Sequence, residues 1–289
     1  MGIEGSGSIA TLLVTCPDRK GLVAALAQLL YGHGANIVDS DQHTDADVGQ
    51  FFQRIRFDLS EIHTDRVAVE HGVAEVAQRF GMTVRLRYPE VPTNVAIFVS
   101  RYSHCLDDLL WRYRSGELRC VVRLIISNHP DCAEIARHAS VPFHVIPVNS
   151  EAKGEAEAKA LELLTANDID LLVFARYMQV VSRDFIERYP SRIINIHHSF
   201  LPAFVGQKPY HQAFERGVKL IGATAHYATA DLDEGPIIEQ GVVRISHRDT
   251  VDDLIRKGRD LERVVLANAV RMHVEDRVLV VGKRTVVFD

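Results

Sequence analysis

The chain has 289 residues, 47% of them apolar and 25% charged, with 38 acidic against 33 basic side chains and a net charge of −5. That length suits two domains, and that composition can bury a sizeable core, which excludes a disordered chain. The slight acidity argues against a nucleic-acid partner, which calls for a basic face. Cys16, Cys105, Cys120 and Cys132 form no CxxC pair and match no zinc spacing, so free, mostly buried thiols in a reducing compartment are expected. The Gly/Ser-rich start, residues 1–8, has neither the basic nor the apolar region of a signal peptide. No window of roughly 18 apolar residues offers a membrane span, and a cytoplasmic protein is expected.

In chain order, Ile9 to Cys16 is a β-prone apolar run that stops at the Pro17-Asp18 turn signal. Leu22, Leu26, Leu29 and Leu30 share one helical face, closed by His33-Gly34. Asn36 to Asp41 and Phe51 to Leu59 read as strands. In the second, Phe51, Gln53, Ile55 and Phe57 alternate with Arg54, Arg56 and Asp58, the pattern of a strand buried on one face only. Val69, Val73, Val76 and Phe80 mark another helix, and Thr83 to Tyr88 a last strand. The order βαββαβ predicts a ferredoxin-like domain over residues 1–88. The two prolines of Tyr88-Pro-Glu-Val-Pro-Thr93 predict a short stiff linker at 89–93, which leaves 94–289 as a second domain.

There the pattern changes. Val95–Val99, Val121–Ser127, Phe143–Val148, Asp170–Phe174 and Ile193–Ile196 read as buried strands. Helical periods intervene at Leu106–Trp111, at Asp131–His138 and from about Glu151, where Ala156, Ala160, Leu163 and Leu164 share a face. This alternation predicts a Rossmann-like, doubly wound parallel sheet. Strands at Ile221–Tyr227 and Ile237–Ile245 follow, then a long helix through Val251, Leu254, Ile255, Leu261 and Val265. A hairpin around Gly282-Lys283 ends the chain.

The chemistry concentrates in Ile193-Ile-Asn-Ile-His-His-Ser-Phe-Leu-Pro-Ala-Phe204. Asn195 and His197 are two residues apart on a strand, so both face one side, at the strand end where open α/β sheets bind ligands. Taken singly, each has an ordinary structural explanation. A second segment, Ala230-Asp-Leu-Asp-Glu-Gly-Pro-Ile-Ile238, puts three carboxylates between two strands, with Asp233 ahead of the tight turn Glu234-Gly235-Pro236. Hydrolysis or transfer of a formamide passes through a tetrahedral oxyanion. An asparagine amide can donate to it, one such donor lowering the barrier by about 3 kcal/mol. A histidine can donate or shuttle the proton, and a carboxylate can orient the histidine or hold a water. No metal is expected: there is no HExxH, and His197 and His198 on one strand face opposite ways. His226 in Ala223-Thr-Ala-His-Tyr227 reads as structural.

Asn195-Ile196-His197, Ser199, Leu201-Pro202 and Leu232-Asp233 with Gly235-Pro236-Ile237-Ile238 together resemble the formyltransferase-fold family of folate-dependent transformylases. The resemblance runs from about Asn94 to the C-terminus and implies a catalytic triad of Asn195, His197 and Asp233. Phe174-Ala-Arg-Tyr-Met-Gln-Val-Val181 resembles the segment lining the pterin pocket. Folate contacts are thus implied for Arg176, Tyr177, Met178, Gln179, Val180, Leu201 and Gly235. One departure stands out. Where ribonucleotide transformylases carry a Gly-rich phosphate cradle, this chain has Val99-Ser-Arg-Tyr-Ser-His-Cys105, without glycine. With the acceptor cradle lost, the likeness narrows to the formyltetrahydrofolate deformylases, which Asn195-Ile-His-His-Ser-Phe-Leu-Pro-Ala-Phe204 and Lys208-Pro-Tyr-His-Gln212 resemble closely. Hydrolysis of 10-formyltetrahydrofolate to formate and tetrahydrofolate is then implied, in support of purine and one-carbon metabolism. The folate is the substrate and no cofactor is needed. His198 departs from the transformylase pattern as an accessory residue, for water positioning or packing. The alternatives are a transformylase with an unidentified amine acceptor and a non-catalytic amino-acid or folate sensor; a nucleotide-sugar formyltransferase has no matching motif.

Cys16-Pro-Asp-Arg-Lys-Gly21, the helix after it, and Gly34-Ala-Asn-Ile37 resemble the ACT family of amino-acid-sensing domains. The resemblance implies a homo-oligomer with an amino-acid effector near Asp18, Gly21 and Asn36. There Gly21 leaves room for a carboxylate at a helix N-terminus.

Overall fold

The computed structural model describes residues 8–149, 152–202 and 209–289. The start of the Gly/Ser-rich stretch, the expected helix start at Glu151 and residues 203–208 of the histidine-bearing motif lie outside the described residues. The chain forms two compact units. One runs to Pro92 and includes Asp276–Leu279 and Val286–Asp289; the other comprises Thr93–Glu275 and Val280–Thr285.

The first unit contains β1 (Ile9–Pro17), α1 (Leu22–Gly32), β2 (Asn36–Asp45), β3 (Gln50–Asp58), α2 (Arg66–Phe80) and β4 (Thr83–Arg87). The strands form an antiparallel sheet ordered β2-β3-β1-β4, the ferredoxin-like arrangement expected of βαββαβ. Leu12, Val14, Ile55 and Phe57 of the sheet form one core with Leu26 and Leu30 of α1 and Val69 and Val73 of α2. Asp65 starts α2 by accepting the Ala68 N–H at 2.8 Å.

One expectation fails here. β3 is not buried on one face only, because Phe52 and Arg54 on its other face are also buried. Arg54 Nε donates to the Asp276 carbonyl at 3.0 Å and Nη1 to Asp39 Oδ2 at 3.2 Å. Arg85 Nη2 and Arg87 Nε lie 3.3 and 3.7 Å from Asp276 Oδ1. A buried guanidinium requires acceptors, and residues from the end of the chain supply them. The segments 276–279 and 286–289 therefore belong with the first unit, where the sequence reading ran the second domain to 289.

The second unit contains β5 (Thr93–Val99), α3 (His104–Arg114), β6 (Cys120–Ser127), α4 (Ala133–His138), β7 (Phe143–Val145), α5 (Lys153–Ala166), β8 (Leu171–Phe174), α6 (Arg183–Glu187), β9 (Ile193–His197), α7 (Pro209–Arg216), β10 (Leu220–Tyr227), β11 (Ile237–Arg244) and α8 (Val251–Val274). The hairpin β12 (Val278–Val281) and β13 (Arg284–Val287) follows. The sheet order is β11-β10-β9-β8-β5-β6-β7. β9, β8, β5, β6 and β7 are parallel, whereas β10 runs antiparallel to β9 and β11 antiparallel to β10. The doubly wound region is thus Rossmann-like and the whole sheet is mixed rather than parallel. β10 is buried at every position after Leu220, and a strand covered on both faces reads the same in either direction. The short helices α6 and α7 were not expected from periodicity.

The chain moves from β5 to β6 on one side and later returns to place β8 on the other. That reversal opens a crevice outside the carboxyl ends of β5 and β8, where sheets of this kind receive ligands.

Candidate active site

β9 delivers Asn195 and His197 to one face, and its antiparallel partner completes the arrangement. Thr224 lies opposite His197 and His226 opposite Asn195. A register shift between Ala225 and His226 re-aims β10 at this point. The β10–β11 loop supplies Asp233, whose φ of 58° is a left-handed conformation costing about 1–3 kcal/mol in a non-glycine residue. The next turn is held tight at Gly235, where an added Cβ would stand 1.7 Å from the Tyr227 carbonyl oxygen. Only glycine fits that approach.

His197 is buried, and its Nδ1 lies 3.2 Å from Asp233 Oδ2. The N–H at Nδ1 donates to the carboxylate, which fixes the ring and turns Nε2 the other way. Nε2 is itself buried and has no hydrogen-bond partner among the described residues. Asp233 Oδ1 is 3.6 Å from His226 Nε2, and Asn195 Nδ2 is 3.2 Å from the same nitrogen. His226 Nδ1 donates to the Tyr227 carbonyl at 3.0 Å, which turns Nε2 towards both the Asn195 amide and the Asp233 carboxylate. Hydrogen bonds first from His197 and then from His226 hold the Asp233 carboxyl far below the usual carboxylate range.

The loop after β9 is tied down by backbone hydrogen bonds. Thr224 Oγ1 accepts from Leu201 N at 3.0 Å and donates to the Ser199 carbonyl at 2.9 Å. Gln240 Nε2 bridges the Leu201 carbonyl and Thr224 Oγ1. The loops after β8, β9 and β10 expose the apolar side chains Met178, Val180, Phe200 and Leu232. Convergent polar groups bordered by apolar surface are what a largely aromatic, amide-bearing ligand requires.

The formyl transferase family matches residues 93–270 and the ACT domain family residues 10–78. A formyltetrahydrofolate deformylase of Synechocystis sp. is 54% identical over 279 residues, 96% of this chain and 98% of that protein. The crystal structure of a formyltetrahydrofolate deformylase from Pseudomonas syringae superimposes with a TM-score of 0.96 at 43% identity, covering 99% of this chain and 96% of that one. The chain belongs to the formyltetrahydrofolate deformylase family. A glycinamide ribonucleotide transformylase from Symbiobacterium toebii shares the fold more distantly. It has a TM-score of 0.65 at 34% identity, over 68% of this chain and 95% of that one.

Within this deformylase fold the structure corrects the reading of His198. β9 ends at His197, so strand alternation no longer applies to its neighbour, and the two rings lie side by side with centroids 5.2 Å apart. His198 also approaches Tyr210, at 6.2 Å. Burial lowers its pKa to about 4, with the Arg176 charge acting in the same direction. His198 is therefore a neutral imidazole near pH 7.

The expected folate residues divide into groups. Met178 and Val180 are exposed on the loop after β8, and Leu201 and Gly235 lie in the loops that carry the catalytic candidates. Tyr177, Gln179 and Val180 line a small cavity with Phe98, Ile146 and Phe185, and burial raises the Tyr177 phenol to about 12. The Arg176 side chain turns to Glu262 instead, with Nε 3.6 Å from Oε2. In the ACT unit, Asp18, Gly21 and Asn36 are all exposed. Gly21 stands at the N-terminus of α1 with φ of 92° and nothing within 4 Å of an added Cβ.

Two residues of this region were missed or under-read from sequence. His226 reads as structural until the antiparallel register of β10 places it opposite Asn195. Glu262 is only 1% exposed, and it occupies the buried face of α8 between Gly258 and Val265. A lone carboxylate on an apolar helical stripe was the available signal. With His104 and Cys105, Glu262 makes the one group among the described residues with metal-ligand side chains. Its carboxylate takes Tyr210 OH at 2.6 Å and His104 Nε2 at 2.8 Å, and it lies 3.6 Å from the Arg176 guanidinium.

Proposed function

We infer that the protein hydrolyses 10-formyltetrahydrofolate to formate and tetrahydrofolate. The observation that carries this reading is the buried, unpartnered Nε2 of His197 beside an ionised Asp233 and the Asn195 amide. With the formyl carbon held over Nε2, a water attacks it and gives its proton to Nε2. The oxyanion that forms accepts an N–H of the Asn195 amide. The carbon–nitrogen bond then breaks, and His197 returns the proton to the departing folate nitrogen. Asp233 holds the Nδ1–H tautomer throughout and stabilises the imidazolium while it exists. The pterin and its linker lie against Met178, Val180 and Leu232. No redox or metal step is required by this sequence of bonds.

The ACT unit takes a small amino acid beside Asp18, Gly21 and Asn36, where α1 directs its first free N–H groups outward. It also joins copies of the chain. β2 is an exposed edge strand of ten residues, the kind of edge that proteins usually cover. The enzyme works in the cytoplasm, where its formate supports purine and one-carbon metabolism. Purified protein supplied with 10-formyltetrahydrofolate and no amine is expected to release tetrahydrofolate and formate in equal amounts. Absence of release until an amine is added would move the reading to a transformylase.

A further inference from the structure

The crevice outside the carboxyl ends of β5 and β8 is where a second substrate would be expected, and the loops after those two strands bring Tyr102 and Arg176 together. Arg176 leaves the end of β8 with φ of 63°, a backbone conformation that favours glycine. A bulky residue is retained there only where its surroundings hold it. Ser100, at the end of β5, donates its N–H to the Arg176 carbonyl at 3.3 Å. Met178 N donates to Ser100 Oγ at 3.0 Å, so the two strand ends are clamped together. The Arg176 guanidinium lies 5.6 Å from the Tyr102 ring centroid on one side and 3.6 Å from Glu262 on the other. Glu262 in turn binds His104 of α3 and Tyr210 of α7. His198, which feels the Arg176 charge, lies ring to ring with His197.

We propose that Arg176, anchored by Glu262 and stacked on Tyr102, is a specificity-determining residue that occupies the acceptor side of the site and leaves water as the only molecule able to reach the formyl carbon. The inference rests on the hydrolase reading and deepens it. The related glycinamide ribonucleotide transformylase from Symbiobacterium toebii shares this fold. Room for an acceptor beside the catalytic histidine is what the Arg176 cluster removes. In the transfer that this cluster prevents, an amine nitrogen bonds to the formyl carbon and the folate carbon–nitrogen bond breaks. The amine proton passes through His197 to the folate nitrogen, with no oxidant or reductant.

The test uses the full chain, 10-formyltetrahydrofolate and glycinamide as the probe amine. Tetrahydrofolate, formate and N-formylglycinamide are measured together. Wild type is expected to give tetrahydrofolate and formate in a ratio of one, with or without glycinamide. Arg176→Gly suits the left-handed backbone and opens the crevice. In it the ratio rises above one when glycinamide is present, and the missing formate appears as N-formylglycinamide. Because this change strands a buried carboxylate, the double variant Arg176→Gly with Glu262→Gln removes both charges, and Tyr102→Ala opens the crevice from its exposed side. A ratio that stays at one, in every variant that folds and turns over, overturns the proposal while leaving the hydrolase reading intact. A wild type that releases no formate without amine overturns the hydrolase reading itself.

Discussion

His197 and His198 are neighbours in sequence, yet they belong to two buried polar clusters of opposite character. In the first, Asp233 engages His197 and His226, and the cluster still presents a buried nitrogen without a partner. In the second, the Glu262 carboxylate takes hydrogen bonds from His104 and Tyr210, and the Arg176 guanidinium beside it keeps Nε and Nη1 buried without a hydrogen-bond partner among the described residues. A buried polar atom left unpaired costs about 1–3 kcal/mol, and both clusters carry one. An imidazole nitrogen can take up and return a proton, whereas a guanidinium stays protonated and can only donate. The difference shows that burial and an unpaired polar atom do not by themselves identify the reacting centre; the chemistry of the unpaired atom does.

Substitutions should separate the two clusters. Asp233→Ala is expected to reduce kcat by about 10²–10⁴-fold with little change in folate affinity, since it removes only the group that orients the proton carrier. Asn195→Ala is expected to lose about 10²–10³-fold, the usual effect of one oxyanion donor. Steady-state kinetics with equilibrium binding checks both, and turnover near wild type in either would place the reacting centre elsewhere. In the second cluster Glu262→Gln should act on stability first. It leaves the Arg176 guanidinium unpaired in the interior, at about 3–5 kcal/mol. Chemical denaturation reads this directly, and an unchanged midpoint would mean that the arginine reaches solvent.

Gly235→Ala sharpens the comparison from the loop side. A Cβ 1.7 Å from the Tyr227 oxygen forces the β10–β11 loop to move, at about 1–3 kcal/mol, and displaces Asp233 with it. Activity should fall further than stability. Equal losses of the two would show that the loop is only structural.

The smallest effect is a pH dependence at His198. Its folded pKa of about 4 lies below the ordinary histidine value, so between roughly pH 6.5 and 4 the unfolded chain binds a proton that the folded chain refuses. Stability therefore falls as pH falls through that window, by at most about 1.4 kcal/mol per unit. It is unaffected by this group at higher pH. His198→Asn should flatten that limb in denaturation curves recorded from pH 4 to 7. An identical slope in the variant would assign the acid sensitivity to other groups.

Much of this was legible in the sequence for physical reasons that can be named. Helices and strands follow from apolar spacing, and the first unit's order from βαββαβ. Asn195 and His197 were placed together by the two-residue strand period alone, and Asp233 by the turn at Gly235-Pro236. What escaped depended on long-range pairing. The direction of β10 is invisible in a strand buried on both faces, and with it went the role of His226. The covering of Arg54 by Asp276 joins residues more than two hundred positions apart. His198 was misdirected because strand alternation was carried one residue past the end of β9. The Glu262 cluster assembles side chains from α3, α7, α8 and the end of β8, which no local pattern connects.

The central claim is that His197 moves the proton in an amine-independent hydrolysis. The most direct measurement is single-turnover release of formate from bound 10-formyltetrahydrofolate, without amine, in wild type and His197→Ala. The account predicts release in the wild type, a loss of about 10²–10⁴-fold in the variant, and folate bound equally well by both. Formate released at comparable rates by the two proteins would contradict it.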